Sequence, residues 1–193
     1  MNRQQGKIVK ENTKRSGAEH LSGPQRKPGD LDPFIRRAIR LGADDAKVID
    51  AATIATAPWV RLKCRFGCDL YNEGYCCPPN TPTPQEMREV IACYKRALLI
   101  HCKGVVGPSR IAVEIEREIF LAGFYKALGL GAGPCGLCKR CPPKRCAHPD
   151  QARPSMEACG IDVFATVRAN GYPIEVLPDS DCRGNYYGLV LID

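Results

Sequence analysis

The chain has 193 residues, 44% hydrophobic and 25% charged, with a formal net charge of +7. That length buries one ordinary core, and twelve cysteines are too dilute for a small disulfide scaffold, which runs above roughly 8% Cys. The opening residues hold no apolar signal core and no run of about 18 apolar residues occurs, so neither secretion nor a membrane span is expected and the thiols should meet a reducing cytoplasm.

Residues 1–30 carry seven Lys or Arg against three acids, more than half of the net charge. They lack periodicity and read as a disordered basic tail before a single domain over 31–193. Without interleaved aromatics, the tail is not expected to bind nucleic acid. Asp32-Pro33 opens a helix that Gly42 ends. Ala46 to Asp50 and Thr53 to Lys63 read as extended. Thr83-Pro84-Gln85-Glu86 is a capping box with Pro at the first helical position, and Met87, Val90, Ile91 and Tyr94 follow on one face.

Ala97 to Ile100 reads as a buried strand. A third helix is expected from Ile111 to Leu128, stopped by the run Gly129, Gly131 and Gly133. A fourth runs from about Met156 to Ala169, weakened by Gly160 and stopped at Asn170-Gly171. Tyr172 to Leu177 and Tyr186 to Ile192 read as closing strands. Strands alternating with helices place the chain in the α/β (or α+β) class: a single mixed sheet flanked by about four helices. Cysteine-rich loops interrupt it at 64–79 and 134–149.

The second loop carries the sharper signal. Cys135, Cys138, Cys141 and Cys146 stand at C-x2-C-x2-C-x4-C, and the first two spacings resemble the cluster-binding run of bacterial ferredoxins. A cubane has several iron corners, so a short loop around it offers a thiolate every third residue. Zinc more often takes two C-x2-C hooks separated by ~12–20 residues, and four cysteines within twelve residues crowd one ion. The reading is a [4Fe-4S] cluster, with zinc as the alternative. The last spacing exceeds the ferredoxin pattern by one, and Ala147 stands where Pro is usual. The three glycines upstream read equally as a helix stop or as backbone brought close to cluster sulfurs.

The first loop holds Cys64, Cys68, Cys76 and Cys77, the last followed by Pro78-Pro79. Cys64, Cys68 and Cys77 are the preferred ligands of a second possible metal site, since adjacent extended residues point opposite ways and separate Cys76 from Cys77. Cys76, Cys159 or Cys146 is the candidate fourth ligand, and one site drawing on both loops is a further arrangement. Cys93 and Cys102 read as core thiols. His101 and His148 read as structural, and Glu114 and Glu118 as part of a solvated helix face. No catalytic triad, phosphate loop or H-E-x-x-H occurs.

From about Arg61 to Asp193 the chain resembles the predicted metal-binding protein family (domain of unknown function 2284). The resemblance rests on Cys64-x3-Cys68, Cys77-Pro-Pro, the segment Glu116 to Ala127, Gly129-Leu-Gly-Ala-Gly-Pro-Cys135 and Arg153 to Asp162. It implies a cysteine-ligated metal, presumed iron–sulfur, and supplies no reaction. The function expected is an iron–sulfur protein transferring electrons or supporting a redox partner protein. The alternatives are a zinc-binding interaction module and an enzyme using a three-cysteine cluster with an open iron site.

Overall fold

A computed structural model describes residues 29–104, 107–142, 144–178 and 183–193. The basic tail up to residue 28 and Cys182 lie outside the described residues. Five α-helices and four strands follow in the order α1 (Asp32–Arg40), β1 (Asp45–Asp50), α2 (Pro58–Gly67), α3 (Pro84–Ile91), β2 (Arg96–Lys103), α4 (Pro108–Leu121), β3 (Leu128–Leu130), α5 (Val163–Ala169) and β4 (Asn185–Leu191). The strands form one sheet in the order β1-β2-β4-β3, and every named pairing is antiparallel. The mixed α and β class holds, in its α+β form.

The central strand β2 is buried on both faces, so its residues divide by parity between two cores. Ala97 and Leu99 join Leu189, Leu191, Met87, Met156, Ile161 and Val167 on one side. Leu98, Ile100 and Cys102 join Val190, Phe34, Ile111, Ile115 and Ile119 on the other. Helices α1 and α4 cover this second face. Helix α4 lies close along β3 and β4: a Cβ on Gly131 would stand 2.7 Å from Ser109 Cβ, and one on Gly129 2.7 Å from Glu116 Oε2. These glycines serve close approach of strand to helix. They neither stop a helix nor reach the sulfurs.

Four expectations change. Thr53 to Lys63 is not extended: after a 3-10 turn at Ala51–Thr53 the chain enters α2. The third helix ends at Leu121 because Gly123 adopts φ 102°, freeing Leu128 to Leu130 to pair with β4. The fourth helix is split. A 3-10 turn at Glu157–Cys159 closes on Gly160 at φ 77°, and α5 starts again with Asp162 Oδ1 accepting from the Ala165 N–H at 2.9 Å. Tyr172 to Leu177 makes no ladder, although Tyr172 and Ile174 are buried. Pro173 has no N–H to offer a neighbouring strand. The capping box at Thr83 is present, with both reciprocal hydrogen bonds.

Candidate metal centre

Helix α2 begins at Pro58, where the missing N–H costs nothing, and runs into the first cysteine loop. Val60 is buried, and Cys64 follows one turn later. Arg61 fixes the helix: Nη1 donates to the carbonyl oxygens of Thr81 (3.1 Å), Pro82 (2.6 Å) and Ala158 (3.2 Å) and to Thr81 Oγ1 (3.2 Å). Cys68 lies just past the helix end. The chain then folds back through a tight turn in which Asn72 N donates to Pro78 O at 2.8 Å and Cys77 N to Gly74 O at 3.2 Å. This turn returns Cys76 and Cys77 toward the helix end.

The second loop is closed at its base. Gly131 bridges Ser155 in parallel, with Gly131 N donating to Pro154 O (2.9 Å) and Met156 N to Gly131 O (3.0 Å). Ala132 N donates to Ser109 Oγ at 3.0 Å. The far side is pinned to α4 by a two-pronged pair, Arg153 Nε to Glu116 Oε2 at 2.6 Å and Nη2 to Oε1 at 2.9 Å. Both side chains are largely buried. Glu118 binds Arg37 at 2.7 Å. Of the two glutamates expected on a solvated helix face, Glu118 therefore has a cationic partner.

The two loops meet. Cys76 and Cys135 lie close enough for each to hinder the other's ionisation, and Cys141 packs so close to Gly74 that an added Cβ would stand 3.3 Å from its Sγ. The thiols fall into two neighbouring groups. Burial first, and then Cys135, Cys146 and Cys77, push the Cys76 thiol up to about 12. Burial raises Cys138, reinforced by Cys141, Cys146 and Cys135. On the other side, burial raises Cys77 with help first from Cys68 and Cys64. Burial likewise raises Cys64, with Cys68 and Glu157 adding to it and Arg61 opposing. The neighbours Cys76 and Cys77 thus lean toward different loops: Cys76 toward Cys135 and Cys146, Cys77 first toward Cys68 and Cys64 and then toward Cys135 and Cys141.

Thiols that hinder one another's ionisation are a donor set awaiting positive charge, because a bound cation reverses that repulsion. The chemistry of the set fits a thiophilic metal. All eleven described cysteines are unpaired and most of the loop thiols are partly exposed. One sulfur already accepts a backbone donor, His148 N to Cys146 Sγ at 3.4 Å. The sulfurs are gathered without converging: among the described residues no three His, Cys, Asp or Glu side chains meet closely enough to hold one metal ion.

The remaining candidates stand apart. Cys159 is 1% exposed in the apolar core, pushed up to about 12 by burial, with no cysteine among the groups acting on it. Cys102 is a core thiol; Cys93 is exposed and donates to Glu89 O. His101 is buried, stacked on Tyr187 and bonded to Asn185 Oδ1 at 2.8 Å, which accounts for it structurally.

Sequence reasoning missed two features. A pocket of about 310 Å³ opens beside Cys64 and Cys68, walled by Trp59, Ile161, Phe164 and Tyr186 and reached by Glu157. A larger open groove of about 1230 Å³ runs from Cys135 and Leu137 along Arg117 and Phe120 of α4. The only signal for the first was an acid two residues before Cys159, which spacing alone does not distinguish.

The family model described as Predicted metal-binding protein (DUF2284) matches residues 47–192, which include both cysteine loops. No curated protein and no solved structure is significantly similar to the chain. Among the described residues no helix is long and apolar enough to cross a membrane.

Proposed function

The chain belongs to the predicted metal-binding protein family, and on that premise we propose that it is an iron–sulfur protein whose two thiol groups relay electrons to a partner. The observation that carries the reading is the junction of the loops: Cys141 packs against Gly74, Cys76 stands beside Cys135, and Cys77 lies among Cys68, Cys64, Cys135 and Cys141. Eight thiols in two adjoining groups exceed what one zinc ion uses. Zinc draws four sulfurs to ~2.3 Å of one point, whereas the ligands of a cluster attach to separate iron atoms, which thiols spread over two adjoining loops can serve.

Cys135, Cys138, Cys141 and Cys146 would hold one [4Fe-4S] cluster, with Cys76 beside them. Cys64, Cys68 and Cys77 would hold a second. Such clusters supply one-electron transfer when bound. The chain's own residues set the conditions. Arg153 lies near enough to Cys76 for the two charges to interact, and the His148 N–H stabilises negative charge on Cys146. Both act to raise a reduction potential. Lys139, Arg140, Lys144 and Arg145 are exposed around the second loop, which favours an acidic face on the redox partner. Cys159 is left out because it is buried in the apolar core and no other cysteine acts on it.

The test is anaerobic purification followed by iron, sulfide and zinc assays and a visible spectrum before and after dithionite. A brown protein with matched iron and sulfide, bleached by dithionite, is expected. A colourless protein carrying zinc and no sulfide would overturn the reading in favour of an interaction module.

A further inference from the structure

The group formed by Cys64, Cys68 and Cys77 has three thiols, while its neighbour has five. Cys76 is turned toward the other group, and Cys159 is buried in the apolar core. One further donor stands beside two of the three, Cys64 and Cys68. Glu157 lines the same pocket as Cys64 and Cys68 and acts electrostatically on Cys64. Its Oε2 is fully enclosed and has no hydrogen-bond partner among the described residues. An enclosed carboxylate oxygen without a partner is costly, and native structures leave few of them unexplained. Glu157 is also held in place. It sits in a 3-10 turn between Met156, which is 0% exposed, and Ala158, and the Ala158 carbonyl receives both Arg61 and Thr81 Oγ1, the latter at 2.6 Å.

We infer that Glu157 is the oxygen ligand completing the metal centre of Cys64, Cys68 and Cys77. The inference rests on the iron–sulfur reading above. It makes the two centres chemically unlike: one held entirely by thiolates, the other by three thiolates and one carboxylate. A carboxylate is a harder and weaker donor to cluster iron than a thiolate. The iron that Glu157 holds is therefore the exchangeable one, and the adjoining pocket of about 310 Å³ gives a small molecule with an oxygen donor access to it.

The experiment compares the anaerobically isolated protein with Glu157→Gln and Cys68→Ala by iron assay and EPR. Treating the wild type with ferricyanide should pass one electron per sensitive centre to the oxidant and release one ferrous ion. A three-iron centre with its own EPR signal remains, and added ferrous iron under reducing conditions reverses the change. Glu157→Gln should hold one iron fewer on isolation, its three-iron centre still one electron more reduced, so that ferricyanide brings up the same signal without releasing further iron. Cys68→Ala should lose the whole centre. Wild-type iron content and spectrum in Glu157→Gln, with Cys68→Ala depleted, overturns the carboxylate ligand and leaves the iron–sulfur reading standing. Unchanged iron in Cys68→Ala as well overturns both. Should Glu157→Gln fail to fold, the wild-type oxidation decides: retention of every iron under ferricyanide overturns the inference.

Discussion

Arg61 sits where α2, the turn after Thr81 and the 3-10 turn at Glu157–Cys159 come together, and one of its nitrogens serves acceptors in all the segments it touches. Hydrogen bonds from a charged donor contribute about 1.5–3 kcal/mol each when their loss strands a partner. Four acceptors shared by one nitrogen do not add. Arg61→Ala should therefore lower stability by about 2–3 kcal/mol in urea unfolding and release iron first from the Cys64 side. Gly131→Ala tests a different contact. The new methyl would stand 2.7 Å from Ser109 Cβ and 3.1 Å from Ser109 Cα, and overpacking of this kind costs roughly 1–3 kcal/mol. Cys102 gives the pH dependence. Burial and the charge of Asp44 push its thiol up from 9.0 to about 11, so the folded chain keeps a proton that the unfolded chain sheds above 9. The stabilisation is complete below that value and is lost as pH rises toward 11. Urea midpoints taken across this window should fall with pH, and less steeply in Cys102→Ala.

At the scale of elements, what the sequence revealed followed from local chemistry. Thr83 to Glu86 announced α3 because its caps are satisfied within four residues. Ala97 to Ile100 announced β2 because a strand buried on both faces is apolar at every position. Helix α2 was misread: Val60 and Leu62 imitate alternation, yet Leu62 is 53% exposed. Pro58 behind the extended Ala57 is the local start signal of the helix. The glycine run was misread for the opposite reason. Gly129 and Gly131 respond to α4, a contact between segments that no window around them contains. The four-cysteine loop stands out by its spacing, whereas the extended chain expected to turn Cys76 away from Cys77 is absent, because both lie in a run of turns. That the loops adjoin, and that Glu157 faces one of them, depends on the sheet order and was not legible. The Glu116–Arg153 pair is the element-scale anchor of the second loop. Glu116→Ala should lower stability on the order of 2–3 kcal/mol, under the ~3–5 of a fully buried pair, and speed iron loss to a chelator.

For the molecule as a whole, the sheet acts as a fixed frame. Its outer face is closed by α1 and α4, while the opposite face carries α3, α5 and the segments leading into both cysteine loops. Metal is therefore not needed to hold the core together, and chelation should leave the sheet folded while the loops open. Far-ultraviolet circular dichroism should change little on iron removal, whereas proteolysis should move to residues 69–80 and 133–147. Cys138→Ala should remove about half of the iron, the share of one of two equal clusters. Loss of all of it would mean a single shared centre.

Cys76 and Cys77 are joined by one peptide unit, yet Cys76 leans toward the sulfurs of the second loop and Cys77 first toward those of its own. No slack separates the two sets, so any shift that seats a cofactor on one side reorients the carbonyl and amide that position the other. Loading should then behave as a paired event: during reconstitution, native mass spectrometry should find empty and doubly filled chains in excess of singly filled ones.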